Sequence, residues 1–469
     1  MGKRITISPL TRVNGFWRVD VEVEQGRVVD AWSSGSFFRG IETILTGRPP
    51  KDAPYLTERI CGICSTAHAA ASVKALEQLA RPELPHNTAL LRNLIYGADL
   101  LQNHTRQFYI LAAPAFVEMP EQPPWVPRFR NDFRLSEAEN QRFFNNYLES
   151  IEISRLTHEM TTIFGGKAPH THGITAGGAT VGPTAERIRR FGSMLRRVKG
   201  FIETAYLPDF ETIAAAYPDY FEIGRGHGNV LSTGVFSKTS KVDSESVIPG
   251  GVIINGSRED LDTAVITEEV RRAWYRLSGN NKHPFQGVTD PDFPGRDEAY
   301  SWIKAPRYKG LPAETGPLAS LILAGRWDGG ISTLDRMGAR GQEALLAAEL
   351  MLKWLEELDP AQPHAVPVDD IPDGEAFGLW GAMRGSLGHW IKVSGGRISH
   401  YQIVTPSAWN CSPRDEAGIR GPIEEALIGT PLPDIDNPVQ VGRVVRSFDP
   451  CLSCACHIIE GKKEVTVDI

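Results

Sequence analysis

Two cysteine pairs of identical spacing stand near opposite ends of the chain: Cys61 and Cys64 in "RICGICSTAH", and Cys451 and Cys454 in "DPCLSCACH". Each C-x-x-C turn converges two sulfurs on one edge of a soft metal ion, for which thiolates are the favoured ligands. Most of the 469-residue chain lies between the two pairs. If both serve one centre, the fold must close its ends around it. Zinc ribbons place their pairs about 15 to 20 residues apart, and iron–sulfur runs are also local, so this separation matches neither pattern. Structural zinc, a catalytic metal and redox-active thiols all stay open on residue chemistry alone. The remaining cysteines are Cys411 and Cys456; such clustering reads as a metal or redox site rather than a disulfide framework.

Charge excludes one class of partner. The 50 basic and 57 acidic residues leave a formal charge of -7, with no Lys/Arg block long enough for a phosphate-binding stripe, so nucleic acid is not expected. The opening "MGKRITISPLTRVNG" lacks the apolar stretch of a secretory signal. No run approaches the roughly 18 to 20 apolar residues that span a bilayer. The chain is therefore expected to stay in the cytoplasm, or to reach a membrane or the periplasm only with a partner that carries a signal.

Near the N-terminus Val19, Val21 and Val23 alternate with charged residues, and "QGR" turns the chain into "VVDAW"; this is a β-hairpin with one buried face. From Ser65 the run "STAHAAASVKALEQLA" is rich in helix formers, which puts Cys61 and Cys64 on a turn leading into a helix. Apolar residues at three- and four-residue spacing predict further helices over about 86–112, 136–164, 184–206 and 342–358. Between about 220 and 340 glycine and proline recur, and packed loops with short strands are expected. There is no internal repeat or clear linker. The expected fold class is α+β, mainly helical: one large body, residues 1–469, with a central helix bundle, an N-terminal β-hairpin and peripheral short strands and loops.

The flanks of the cysteines narrow the metal. "RICGICSTAH" with "RSFDPCLSCACH" resembles the two signature motifs of the large, catalytic subunit of NiFe hydrogenases. The resemblance extends in order along the chain through "SPLTRVNG", "FRGIETILTGRPPKDA", "YSWIKAPRYKG", "RGSLGHWI" and "YQIVTPSAWN". It implies nickel held terminally by Cys61 and Cys451 and bridged to iron by Cys64 and Cys454, with carbon monoxide and cyanide on the iron. Splitting dihydrogen needs an acceptor for its electron pair and a base for its proton. A terminal thiolate can be that base; Arg384 is the harder route because guanidinium holds its proton tightly.

The resemblance also assigns supporting residues, each with a plainer alternative. Arg384 in "AMRGSLGHW" would stand above the open metal position and hydrogen-bond a cyanide, or form a structural salt bridge. Asp449 would orient Arg384, or cap the turn before Pro450. Ser407 would offer a hydroxyl to the second cyanide, or be a turn residue. His68, four after Cys64 on the helix, would donate to the bridging sulfur, or be a core histidine. Glu42, the backbone carbonyl near Ile403, and His457 would hold a magnesium ion; Glu42 alone would read as a surface carboxylate. Cys411 and Cys456 carry no implied role and read as small buried hydrophobes. The stretch "WIKAPRYKG" is expected to pack internally.

Three positions depart from the family pattern. Asn14 stands where a glutamate takes protons from the terminal thiolate, and an amide cannot carry a proton that way. Asn103 replaces a common aspartate, and Met383 a common proline. The metal site is expected to assemble while turnover, bias or inhibitor response differs. Residues 458–469 resemble a tail removed by a maturation endopeptidase just after His457. With only Cys411 and Cys456 to spare, electrons must leave through a separate iron–sulfur small subunit. A hydrogen-sensing regulatory subunit of low turnover is the alternative function. A cysteine-free relative such as the quinone-site subunit of respiratory complex I fits poorly, since all four cysteines are present.

Overall fold

The computed structural model describes residues 2–126 and 132–455. Its N-terminal sheet is an antiparallel meander of β1 (Lys3–Ile7), β2 (Trp17–Glu24) and β3 (Arg27–Gly35). The β2–β3 hairpin turns at Gln25 and Gly26, both at positive φ (49° and 72°), the two-residue turn that matches strand twist. Val19, Val21 and Val23 are buried as their alternation predicts. Asp20, expected on the open face, is buried too. Arg4 at 2.9 Å, Arg18 at 2.8 Å and the Thr6 hydroxyl close over its carboxylate and satisfy it.

Five long helices follow: α1 (Ser65–Ala80), α2 (Asn87–Arg106), α3 (Glu137–Gly165), α4 (Ala185–Phe201) and α5 (Thr333–Glu357). Wider turns extend α2 to Ala112 and α4 to Tyr206, so these helices match the predicted spans. Helix α3 starts on a capping box in which Ser136 and Glu139 satisfy each other's backbone N–H. Helix α5 begins nine residues before the predicted 342. Its first half carries Gly338 and Gly341, where a Cβ would meet Phe210 at 2.7 Å and Leu207 at 2.9 Å. Close packing, not helix propensity, selects these glycines. Helix α2 packs on α3 and α5, and α4 on both α3 and α5. No helix among the described residues is long and apolar enough to cross a membrane.

A second antiparallel sheet, of β4 (Gly374–Ala382), β5 (Gly385–Ser394) and β6 (Arg397–Val404), lies against α1. The contact is so close that a Cβ at Gly378 would meet the Ala71 carbonyl oxygen at 2.0 Å. The alanines of α1 make this approach affordable in space, and Ala67, Ala69, Ala70, Ala71 and Ala75 are all buried. Between Val230 and Tyr308 the chain forms short strands and loops, as predicted. The "WIKAPRYKG" stretch is internal up to Tyr308, with Lys309 and Gly310 exposed: Ala305–Tyr308 is a buried strand, and Arg307 pairs with Asp415 at 2.9 Å. Cys411 is buried in the apolar cluster beneath the N-terminal sheet. Cys456 and His457, and the tail beyond them, lie outside the described residues.

Candidate metal centre

Cys61 precedes α1 on an extended residue (φ -154°), and Cys64 occupies the N-cap of α1. Cys451 and Cys454 flank the start of a short C-terminal helix, Leu452–Ala455. The fold brings the two segments together so that all four sulfurs lie within 4.8 Å of one another, and all four residues are buried. Cys61 Sγ is 3.4 Å from Cys451 Sγ, and Cys454 Sγ is 3.1 Å from both Cys64 and Cys451. Burial opposes ionising Cys451, but hydrogen bonds from the other three thiols outweigh it and hold its pKa well below the ordinary thiol value.

The N-terminal segment clasps this arrangement. Asn14 forms an isolated parallel bridge to Cys451: its N–H donates to Pro450 O at 3.4 Å, and its carbonyl accepts from Leu452 N at 2.7 Å. Its side-chain amide donates to Cys451 Sγ at 2.8 Å and reaches Cys61 Sγ at 3.4 Å. Gly15 follows at φ 89°, where a Cβ would meet Ser453 N at 2.8 Å; only glycine suits both constraints. Arg39, in the "FRGIE" stretch, was not singled out from sequence. Its guanidinium donates to the carbonyls of Ile60 and Ser453, one in each cysteine segment.

Beside the sulfurs is a small cavity, of about 10 Å³, lined by Cys64, Cys451, Cys454, His68, Arg384 and Ser407, among others. Arg384 reaches it from the tip of the β4–β5 hairpin, whose two-residue turn is Met383–Arg384; Met383 is buried against the same cavity. Asn103, on α2, bridges the two charged residues. It accepts from Arg384 Nη2 at 2.5 Å and donates to Asp449 Oδ2 at 2.7 Å, while Arg384 Nε lies 3.3 Å from Asp449. Burial works against the Arg384 charge, but Asp449 and the cysteine thiolates outweigh it and hold its pKa well above the ordinary value. The guanidinium is therefore a fixed cation, a poor base. Its Nη1 is buried without a hydrogen-bond partner among the described residues.

Ser407 lines the cavity and accepts a hydrogen bond from the Cys451 N–H at 2.9 Å. His68 also lines it, yet its Nδ1 pairs with His389 Nε2 at 3.1 Å. His389 Nδ1 in turn meets the Tyr401 hydroxyl at 2.8 Å, which donates to Ser72 Oγ at 3.0 Å. Burial pushes His68 down to about 4 and His389 well below its ordinary value, so this chain is neutral. His389 and Tyr401 escaped the sequence reading because nothing in "GHW" or "HYQ" marks which face of a fully buried strand points to the site.

Glu42 is buried, not a surface carboxylate. It accepts from the Ile403 N–H at 2.8 Å and from the Thr289 hydroxyl. The contact between Glu42 and Ile403 is through the Ile403 amide. Lys304 Nζ lies 3.6 Å from Glu42 and 3.8 Å from Glu268, and these groups line a second small cavity that Cys454 also borders. Burial pushes Glu268 up to about 7, with Lys304 working against it.

The donor set suits a soft metal: four buried thiols converge, and Arg384, with a buried N–H that has no partner among the described residues, lines an adjoining cavity. The sequence model of the nickel-dependent hydrogenase family matches residues 39–123, 115–329 and 326–457. The large subunit of the periplasmic [NiFeSe] hydrogenase of Desulfomicrobium baculatum is 40% identical, over 98% of this chain and 96% of its own. The hydrogenase-1 large chain of Escherichia coli K12 is 30% identical over 100% of this chain and 97% of its own. Among solved structures, the as-isolated oxidized Ni-Fe-Se hydrogenase from D. vulgaris Hildenborough superposes with a TM-score of 0.94 at 39% identity, covering 97% of this chain and 100% of that one. Two of these relatives carry selenium in their names; here all four sulfur positions are cysteine. With the four-sulfur geometry and relatives that are hydrogenase large chains, the chain belongs to the nickel-dependent hydrogenase family as its catalytic large subunit.

Proposed function

We propose that the four sulfurs hold a nickel–iron pair, with Cys61 and Cys451 terminal on nickel and Cys64 and Cys454 shared with iron. The single observation that carries this reading is the convergence of the four thiols beside a cavity lined by Arg384, one of whose N–H groups has no partner among the described residues. The bound metals would supply the acceptor for the electron pair of dihydrogen. The chain's residues supply the rest. As a terminal ligand, Cys451 would be a thiolate placed to take the proton released in hydrogen oxidation. Arg384, held charged by Asp449 and positioned by Asn103, would offer its free N–H to a cyanide carried by the iron. Ser407 fixes the Cys451 backbone and offers its hydroxyl proton toward the cavity. His68, locked by His389, presents its other ring edge to the Cys64 side.

Magnesium is the second metal of this reading. The Glu42 and Glu268 carboxylates suit a hard cation, with the Ile403 carbonyl and His457 as further donors. Lys304 already serves as their counter-charge, so binding the ion requires the ammonium to withdraw. Electrons leave to an iron–sulfur small subunit: Cys411, buried among Ile423, Val441 and Val444, is no cluster ligand. A maturation endopeptidase cuts after His457, and intact mass ending there is expected for active protein. One core running from Leu45 to Cys454 supports a single domain, with the long helices as its central bundle.

The test is an infrared spectrum of the anaerobically purified complex. Bands of metal-bound carbon monoxide and cyanide are expected. Their absence from protein trimmed at His457 would overturn the nickel–iron assignment.

A further inference from the structure

The last helix before the second cysteine pair, α6 (Val439–Ser447), ends two residues short of Asp449. Its final carbonyls have no partner within the helix, and buried side chains from two other helices take them up. Gln107, in the wider turn that extends α2, donates to Arg446 O at 2.8 Å, and Arg340 of α5 donates through Nη2 to Ser447 O at 3.0 Å. The positive charge of Arg340 also complements the partial negative charge of a helix C-terminus. The Asp449 N–H closes on Arg446 O at 3.0 Å, and Asp449 itself takes a left-handed φ of 53°. Pro450 and Cys451 follow directly, so this cap aims the chain at the metal centre.

Two arginines one turn apart on α5 hold this end, and their charges are met differently. Arg336 lies over the Phe448 ring, 3.7 Å from its centre, and Glu314 matches it through two contacts of 2.7 Å. Arg340 is 1% exposed, and its hydrogen bonds go to two carbonyls, Ser447 O and, at 3.3 Å, Arg336 O. It has no ion pair among the described residues. Glu343, the next turn along, faces His104 at 2.8 Å, and burial pushes its carboxyl up to about 8, so it is largely uncharged at neutral pH. Burial opposes the Arg340 charge, and Asp449 is the first anion to support it. Arg340 Nε and Asp449 Oδ1 are both buried without a hydrogen-bond partner among the described residues, so the two groups act on each other through space. A buried cation without a paired carboxylate is costly to keep.

We propose that Arg340 is a positioning residue of the metal centre: by holding the Ser447 carbonyl it fixes the turn from which Asp449 meets Arg384, and its charge adds to the field at the metals. Arg340 does not line the cavity beside the sulfurs; it acts through Asp449, which lies 3.3 Å from Arg384 Nε. The inference rests on the nickel–iron assignment made above. Residues that orient the ligands of a metal site typically cost about 10- to 100-fold in activity when removed, and the lower figure is expected here because Asn103 still holds Arg384.

The anaerobically purified complex is compared with Arg340→Met and Arg340→Lys at equal nickel content, by the infrared cyanide bands and by the dependence of hydrogen oxidation on hydrogen pressure. Methionine keeps the length of the side chain and removes the donor and the charge; lysine keeps the charge. Arg340→Met is expected to shift the cyanide bands and to lower kcat about tenfold with little change in KM, and Arg340→Lys to recover most of both. Should the methionine variant take up no nickel, Arg340→Gln, which keeps a donor for Ser447 O, stands in its place. Parent bands and rates in the neutral variant, or equal effects of lysine and the neutral variant, overturn the inference and leave Arg340 as a structural strut. Absence of cyanide bands from the parent complex itself would instead overturn the nickel–iron assignment, and this inference with it.

Discussion

Replacing Asn14 with aspartate tests the chemistry of the thiolate's nearest neighbour. The side chain is held from both directions by backbone hydrogen bonds to Pro450 and Leu452, and aspartate is isosteric with it. A carboxylate oxygen would therefore take the position of an amide nitrogen now 2.8 Å from Cys451 Sγ. That is within the reach of about 2.6–3.2 Å required of a general acid or base, whose contribution is typically about 10²–10⁴-fold. The gain expected in hydrogen-oxidation turnover is at the lower end, about 10²-fold, because the second thiol, Cys61, is already at 3.4 Å. The exchange has an opposing cost. It removes an N–H donor and sets a carboxyl beside a depressed-pKa thiol, which lowers stability by about 1–3 kcal/mol. The assay is steady-state hydrogen oxidation with an artificial acceptor, in light and heavy water, on complexes matched for nickel content. A faster rate with a smaller solvent isotope effect is expected. An unchanged rate and isotope effect at equal nickel content would refute the reasoning and show that protons already leave by another route.

Three further outcomes follow from the same geometry. Arg39→Met removes the fork that ties Ile60 to Ser453, two charge-assisted bonds of about 1.5–3 kcal/mol each; nickel retention and thermal stability should both fall, and full nickel content would show that the two segments hold each other without it. His389→Phe leaves His68 Nδ1 and the Tyr401 hydroxyl without their partner, a cost of about 1–3 kcal/mol per group; His389→Gln, which can still donate and accept, should recover part of the lost melting temperature, and equal losses in both would argue for simple packing. Glu343 faces His104 at 2.8 Å, and burial pushes its carboxyl up to about 8, with Arg340 working against it. The folded chain thus keeps a proton that the unfolded chain releases near pH 4.5. The associated stability is intact below that pH and is lost as pH rises toward about 8, by up to about 1.4 kcal/mol per unit. Glu343→Gln should therefore gain on the parent across this window in denaturant titrations; parallel curves would overturn the assignment.

The parts legible in the sequence were those with local periodicity or distinctive chemistry. Val19, Val21 and Val23 announced their strand because one face is wet, and α2, α3 and α4 announced themselves by apolar spacing. The sheet of β4, β5 and β6 did not: β5 is buried on both faces over most of its length, so no alternation marks it. The glycines that let α5 meet Phe210 and Leu207 hid its first turns for the same reason, since tertiary fit overrode propensity. At the site, the cysteines, Arg384 and Asp449 were found by motif and do converge. Arg39, His389, Tyr401 and Lys304 act through partners hundreds or tens of residues away, and no local pattern encodes such contacts. Asp20 was misjudged because a carboxylate's burial depends on which cations fold over it.

The clasp between Asn14, Cys61 and Cys451 also sets a timetable. Cys61 and Cys451 are 390 positions apart, and synthesis at about 5–20 residues per second separates their appearance at the ribosome by roughly 20 to 80 s. For that interval the first pair exists without the second, and Arg39 has only one of its two carbonyls. Helices α1 to α5 and the β4–β5 hairpin are all made before the last strut arrives. The centre is thus a keystone, set after the arch, and an unfinished chain offers an open half-site to whatever loads it.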